Sequence, residues 1–133
     1  MANKIMVVDD EPDVVDLVKL VLESDGFNVV MAYSGKEALE KIGQEMPDLV
    51  LLDIMMPQMD GWEVYSRIRA NPKTKDIPVA MLTAKSQSID KMIGLHVVKV
   101  DDYITKPFGR SELLERVKRI LKEKGRLQPT SAK

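Results

Sequence analysis

Residues 49 to 52 read Leu-Val-Leu-Leu, with no polar side chain at either parity of the run. Successive strand residues point to opposite faces, so a strand built from this stretch has to be covered on both. That requirement points to a parallel sheet sandwiched between helix layers. The rest of the chain supplies the layers, because apolar β-rich runs alternate with amphipathic helical patterns in five successive pairs. Ile5-Met6-Val7-Val8 precedes a helix carrying Val14, Leu17, Val18, Val21 and Leu22 at helical spacing, with Pro12 near its start and Gly26 past its end. Phe27 to Ala32 reads as the second strand, and Ser34-Gly35-Lys36-Glu37 is a capping-box pattern opening a helix that ends near Met46-Pro47. After the third strand, a loop with Pro57 and Asp60-Gly61 leads to a helix from about Trp62 to Ala70, stopped by Asn71-Pro72. The pattern predicts a fourth strand over Pro78 to Leu82, a weaker helix around Ser88 to Val97, and a short fifth strand at Tyr103-Ile104. Leu113, Leu114, Val117, Ile120 and Leu121 form the apolar stripe of a last helix.

This alternation predicts an α/β fold, a doubly wound five-stranded parallel sheet of (βα)5 form with helices on both faces. The chain has 133 residues, 44% hydrophobic and 31% charged, which suits one packed domain. We place that domain at residues 1–124 and read 125–133 as a flexible tail or the start of a linker. There is no cysteine, which excludes a disulfide framework and a thiolate metal site. The apolar stretch after Lys4 is too short for a signal peptide and no run reaches the length of a membrane span, so the expectation is a soluble, cytoplasmic protein. Charge is lopsided: residues 1–60 hold 13 acidic and 4 basic side chains, residues 61–133 hold 8 and 16. An acidic cation-binding end and a basic partner surface would produce this, as would ordinary solvated helix faces.

In a doubly wound sheet, ligands bind beyond the carboxyl ends of the strands. Asp9 and Asp10 end the first strand, Asp53 the third and Thr83 the fourth, and Lys106 follows the fifth. A lone Asp after a strand is commonly a cap or turn residue. Three carboxylates converging on one edge are different, because they repel one another unless a cation balances them. An all-oxygen donor set suits a hard divalent ion, and Mg²⁺ fits best, since it accepts one or two carboxylates and keeps several waters. A carboxylate can also attack phosphorus to give an acyl phosphate, whose oxygens Mg²⁺, Lys106 and the Thr83 hydroxyl could neutralise.

Four stretches together resemble the receiver domain of two-component response regulators. They are Val7-Val8-Asp9-Asp10-Glu11-Pro12; Leu52-Asp53-Ile54-Met55-Met56-Pro57 with Met59-Asp60-Gly61; Leu82-Thr83-Ala84; and Asp101-Asp102-Tyr103-Ile104-Thr105-Lys106-Pro107-Phe108. The resemblance covers residues 4 to about 124, is closest in wording to receivers of transcription-factor regulators, and implies strand order 2-1-3-4-5. It implies that Asp53 accepts a phosphoryl group from a histidine kinase or phosphotransfer protein. It further implies that Asp10, Asp53 and the backbone carbonyl of Met55 bind Mg²⁺ with Asp9 assisting through water, and that Lys106 and Thr83 stabilise the phosphoryl oxygens. Thr83 and Tyr103 would act as the switch pair, remodelling the surface of the fourth helix, fifth strand and last helix for a downstream effector or a homodimer. Lys91, Asp101, Asp102 and Arg116 would lie on that output face, and Lys106-Pro107 would be a cis peptide.

The chain departs from the family pattern at Leu95-His96-Val97-Val98-Lys99-Val100, which lacks the usual Gly before Asp-Asp-Tyr and is one residue longer. The readings there are a harmless loop residue or an altered signalling face. His96, the only histidine, sits in this segment, and the phosphodonor histidine belongs to the partner kinase. Met55 and Lys85 occupy positions that, by family analogy, tune loss of the phosphoryl group, and Met55 suggests a long-lived phospho-form. The resemblance implies a signalling switch rather than an enzyme, with slow autodephosphorylation. Other readings are a pseudo-receiver binding module without phosphoryl transfer and an aspartyl-phosphate phosphatase, the latter disfavoured because Met55 stands where a second Asp is needed. A flavodoxin would need a Ser/Thr/Gly-rich loop after the first strand. No helix-turn-helix pattern is present, and aromatic residues are 5% of the chain, so direct nucleic-acid binding is not expected.

Overall fold

The computed structural model describes residues 2–84 and 100–128. Five strands, β1 (Lys4–Val8), β2 (Asn28–Ala32), β3 (Leu49–Asp53), β4 (Val79–Ala84) and β5 (Asp102–Lys106), pair in parallel in the order β2-β1-β3-β4-β5. The helices are α1 (Pro12–Ser24), α2 (Gly35–Glu45), α3 (Gly61–Ala70) and the C-terminal helix Arg110–Glu123. The helix expected around Ser88 to Val97 lies outside the described residues.

The apolar run of β3 divides between two cores by parity. Leu49 and Leu51 join Val15, Val18 and Leu22 of α1 and Leu113, Val117 and Leu121 of the C-terminal helix. Val50 and Leu52 join Ala38 and Ile42 of α2 and Val64, Tyr65 and Ile68 of α3. Every residue of β3 is buried, as a central strand covered on both faces must be.

Local signals set the helix ends. Pro12 opens α1, where its missing N–H costs nothing, and Gly26 takes a φ of 92° after the helix. Ser34 caps α2 by accepting from Glu37 N at 3.1 Å, but the Glu37 carboxylate reaches back to Tyr33 N at 2.8 Å, one residue before the cap. Asp60 caps α3 by accepting from Glu63 N, so α3 begins at Gly61, one residue before the expected Trp62. β4 runs on to Ala84, beyond the expected Leu82, because its register with β5 continues through Thr83↔Thr105 and Ala84↔Lys106. β5 is longer than the expected pair for the same reason.

Asn3 and residues 126–128 meet at the opposite edge of the sheet. Asn3 is fully buried, and its amide donates to Asp48 Oδ2 at 3.0 Å and to the Arg126 carbonyl at 2.7 Å. Its side-chain oxygen accepts from Gln128 N at 2.7 Å. Residues 126–128 are thereby held against the start of β1, after a turn at Gly125 with φ 67°.

Candidate functional site

The carboxyl edge of the sheet collects the polar residues because each strand ends or turns there. Asp9 follows β1 and is fully buried, Asp10 beside it is exposed, and Asp53 is the last residue of β3 and 4% exposed. One carboxylate oxygen from each lies within 4.8 Å of the others. Lys106, the last residue of β5, inserts its ammonium among them, 2.8 Å from Asp9 Oδ2 and 3.5 Å from Asp53 Oδ1. Its peptide to Pro107 is cis. Asp9 also accepts from Glu11 N at 3.0 Å.

The charges of this cluster do not balance among the described residues. Burial, then the neighbouring Asp9 carboxylate, pushes the Asp53 carboxyl up to about 7; Lys106 opposes this and Asp10 adds to it. Burial pulls the Lys106 ammonium down, but the Asp9 hydrogen bond and the Asp53, Asp9 and Glu11 charges outweigh it and hold it above its ordinary value. Among the described residues, one ammonium therefore serves a cluster that still lacks positive charge. The donors that remain are oxygens, which is the set a hard divalent cation such as Mg²⁺ takes.

Thr83 is buried in β4, its hydroxyl 3.5 Å from that of Thr105 on β5. Tyr103 packs on the α2–α3 side of the sheet with its ring centroid 6.5 Å from that of Trp62. Its hydroxyl is buried with no hydrogen-bond partner among the described residues, and burial, then Tyr65, raises its pKa. Met55 sits in the loop after β3, 58% exposed.

Of the residues expected on the output face, Asp101, Asp102 and Arg116 are paired within the chain. Asp102 binds Arg116 and Arg119, each at 2.9 Å, and Asp101 binds Lys124 at 3.0 Å while accepting from Val79 N at 2.8 Å. Lys91, Lys85 and His96 lie outside the described residues.

Two contributors were not assigned a role from the sequence. Gly61 donates from its N–H to the Ile54 carbonyl at 2.8 Å and lies so close to the end of β3 that a Cβ would meet the Asp53 carbonyl and sit 2.9 Å from Ile54 Cα. In the sequence it reads only as a turn signal, since close approach of two backbones leaves no other trace. Glu11 extends to within 3.5 Å of Lys106, a contact between segments 95 positions apart that no local pattern encodes.

Comparison with known proteins agrees with this architecture. The sequence model of the response regulator receiver domain matches residues 5–118. The N-terminal domain of a response regulator receiver protein from Methanoculleus marisnigri is 44% identical, with TM-score 0.71, covering 91% of this chain and 98% of that one. Chemotaxis protein CheY4 from Vibrio cholerae is 30% identical, with TM-score 0.82, covering 91% and 100%. NtrX from Brucella abortus, in complex with ATP, is 31% identical, with TM-score 0.85, over 94% of this chain but only 28% of that longer protein.

Proposed function

The chain belongs to the response regulator receiver domain family, and from that premise we propose that it is a phosphorylation-dependent switch whose phosphoacceptor is Asp53. The observation that carries the reading is the ammonium of Lys106 set between Asp9 and Asp53 at the carboxyl edge, in a cluster short of positive charge among the described residues. Asp53 is the buried carboxylate that ends β3 within reach of Lys106, and attack of its oxygen on phosphorus gives an acyl phosphate whose added negative charge Lys106 and a bound cation would meet. Lys106 has donors for the transferred oxygens, and Thr83, on the neighbouring strand, offers a hydroxyl one position beyond the Leu82 that faces Asp53 in the register.

Asp10, Asp53 and the Met55 carbonyl, with Asp9 through water, are the groups that would hold Mg²⁺. When bound, the metal neutralises charge on the transferring phosphoryl group. The phosphodonor would be a histidine kinase or phosphotransfer protein. The output would travel through Thr83 and Tyr103 to the surface carrying Asp101, Asp102 and Arg116, where an effector or a second copy would dock. The Tyr103 hydroxyl, buried without a hydrogen-bond partner among the described residues, supports a side chain with an alternative arrangement to reach.

Incubation with acetyl phosphate and Mg²⁺, followed by intact mass, tests the reading. Wild-type protein should gain one phosphoryl group and Asp53→Asn none. No gain in the wild type would leave a binding module of the same fold.

A further inference from the structure

Glu11 occupies the N-cap of α1, yet its side chain caps nothing. Glutamate is a poor choice at that position, where Ser, Thr, Asp or Asn would satisfy an orphan N–H. The carboxylate instead turns toward Lys106, 3.5 Å away, and stays 66% exposed while Asp9 and Asp53 lie buried beneath. It also lines an open groove of about 330 Å³ with Val14, Leu17, Lys106, Pro107 and Phe108. Glu11 thus stands at the mouth of the site and the other two carboxylates at its floor.

We infer that Glu11 is a positioning residue that sets the charge of the phosphoryl-transfer site, drawing Lys106 outward and opposing small anionic phosphodonors. The inference rests on the function proposed above. Among the described residues, Asp9, Asp10, Glu11 and Asp53 formally bring four negative charges against one from Lys106, so with a divalent cation that set keeps one net negative charge. Neutralising Glu11 removes it. The effect acts on approach of the donor and on the availability of Lys106. The transfer itself forms a bond from an Asp53 carboxylate oxygen to phosphorus and breaks the bridging P–O bond of the donor, releasing acetate when the donor is acetyl phosphate.

The test compares wild type, Glu11→Gln and Glu11→Asp in acetyl phosphate uptake, read by intact mass, and in Mg²⁺ affinity, read by calorimetry. Glu11→Gln should take up phosphoryl groups about two- to fivefold faster at low ionic strength, through a lower KM, with the advantage shrinking as salt rises. It should bind Mg²⁺ about twofold more weakly, because a nearby anion has been removed. Glu11→Asp, which keeps the charge, should stay near wild type in both. Opposite signs in the two measurements separate a charge effect from structural damage, which would lower both. Uptake by Glu11→Gln that is unchanged, slower or insensitive to salt would overturn the inference. If wild type takes up no phosphoryl group at all, the proposed function fails instead; equal Mg²⁺ affinities would then still overturn the role of Glu11.

Discussion

Gly61 is held against the end of β3, where even one methyl group has no room. An alanine there would push its Cβ against the backbone of Asp53 and Ile54, which cannot yield as the tip of a side chain can. Gly61→Ala is expected to cost about 1–3 kcal/mol of stability and to slow phosphoryl uptake at Asp53. Thermal denaturation and acetyl phosphate kinetics check this; an alanine variant matching wild type in both would show that the contact relaxes cheaply. Met55 stands two positions after Asp53, 58% exposed. Its exposed thioether is a weak acceptor and cannot donate, so it orients an attacking water poorly. Met55→Asn should shorten the lifetime of the phospho-form severalfold once donor is removed, and a decay that does not change would count against the long-lived state.

Each core-facing element follows from a pattern visible in the sequence, but its ends are set by neighbours. Thr83 was expected to end β4, whereas pairing with β5 carries the strand one residue further and sets the Thr83 hydroxyl beside Thr105. Ser34 caps α2 as its pattern implies, yet the reciprocal bond goes to Tyr33 because the Glu37 carboxylate reaches past the cap. Asn3 has no local signal at all, since its partners lie 45, 123 and 125 positions away. Asn3→Ala would leave the Gln128 N–H and the Arg126 carbonyl without that partner, at a cost of about 1–3 kcal/mol. Hydrogen exchange should accelerate at residues 126–128 before it does in β3; unchanged protection there would mean the segment is held by the C-terminal helix alone.

Across the molecule, Asp25 pairs with Lys118 and Asp48 with Arg126 between the acidic and basic halves. Within the basic half, Asp101 pairs with Lys124 and Asp102 with Arg116 and Arg119, so a two-fold contact through this face would have to exchange internal pairs for external ones. Among the described residues, acidic charge in excess of its partners sits at the carboxyl edge, and it couples to global stability. Because Asp53 titrates at about 7 in the fold and near 3.8 ordinarily, the folded state holds a proton between those values that the unfolded state has released. Stability contributed by that proton is complete below pH 4 and is lost as pH rises through 7. With metal chelated, the melting temperature of Asp53→Asn minus that of wild type should therefore grow by several degrees from pH 5 to pH 8. Mg²⁺ should raise the wild type more than the variant. A difference that stays constant with pH would mean that Asp53 carries no such burden.

The alternation of apolar runs with helical stripes, and the all-apolar β3, were enough to establish a doubly wound parallel sheet and to place Asp9, Asp10, Asp53, Thr83 and Lys106 at one edge. Those properties follow from the period and burial of single segments, which a linear pattern records. Only the tertiary structure decided that Lys106 lies closer to Asp9 than to Asp53, that Gly61 must be glycine, that Asn3 ties residues 126–128 to the start of β1, and that Glu11 turns from its helix toward the site. Each of these depends on a distance between segments brought together by packing, and sequence separation carries no information about such a distance.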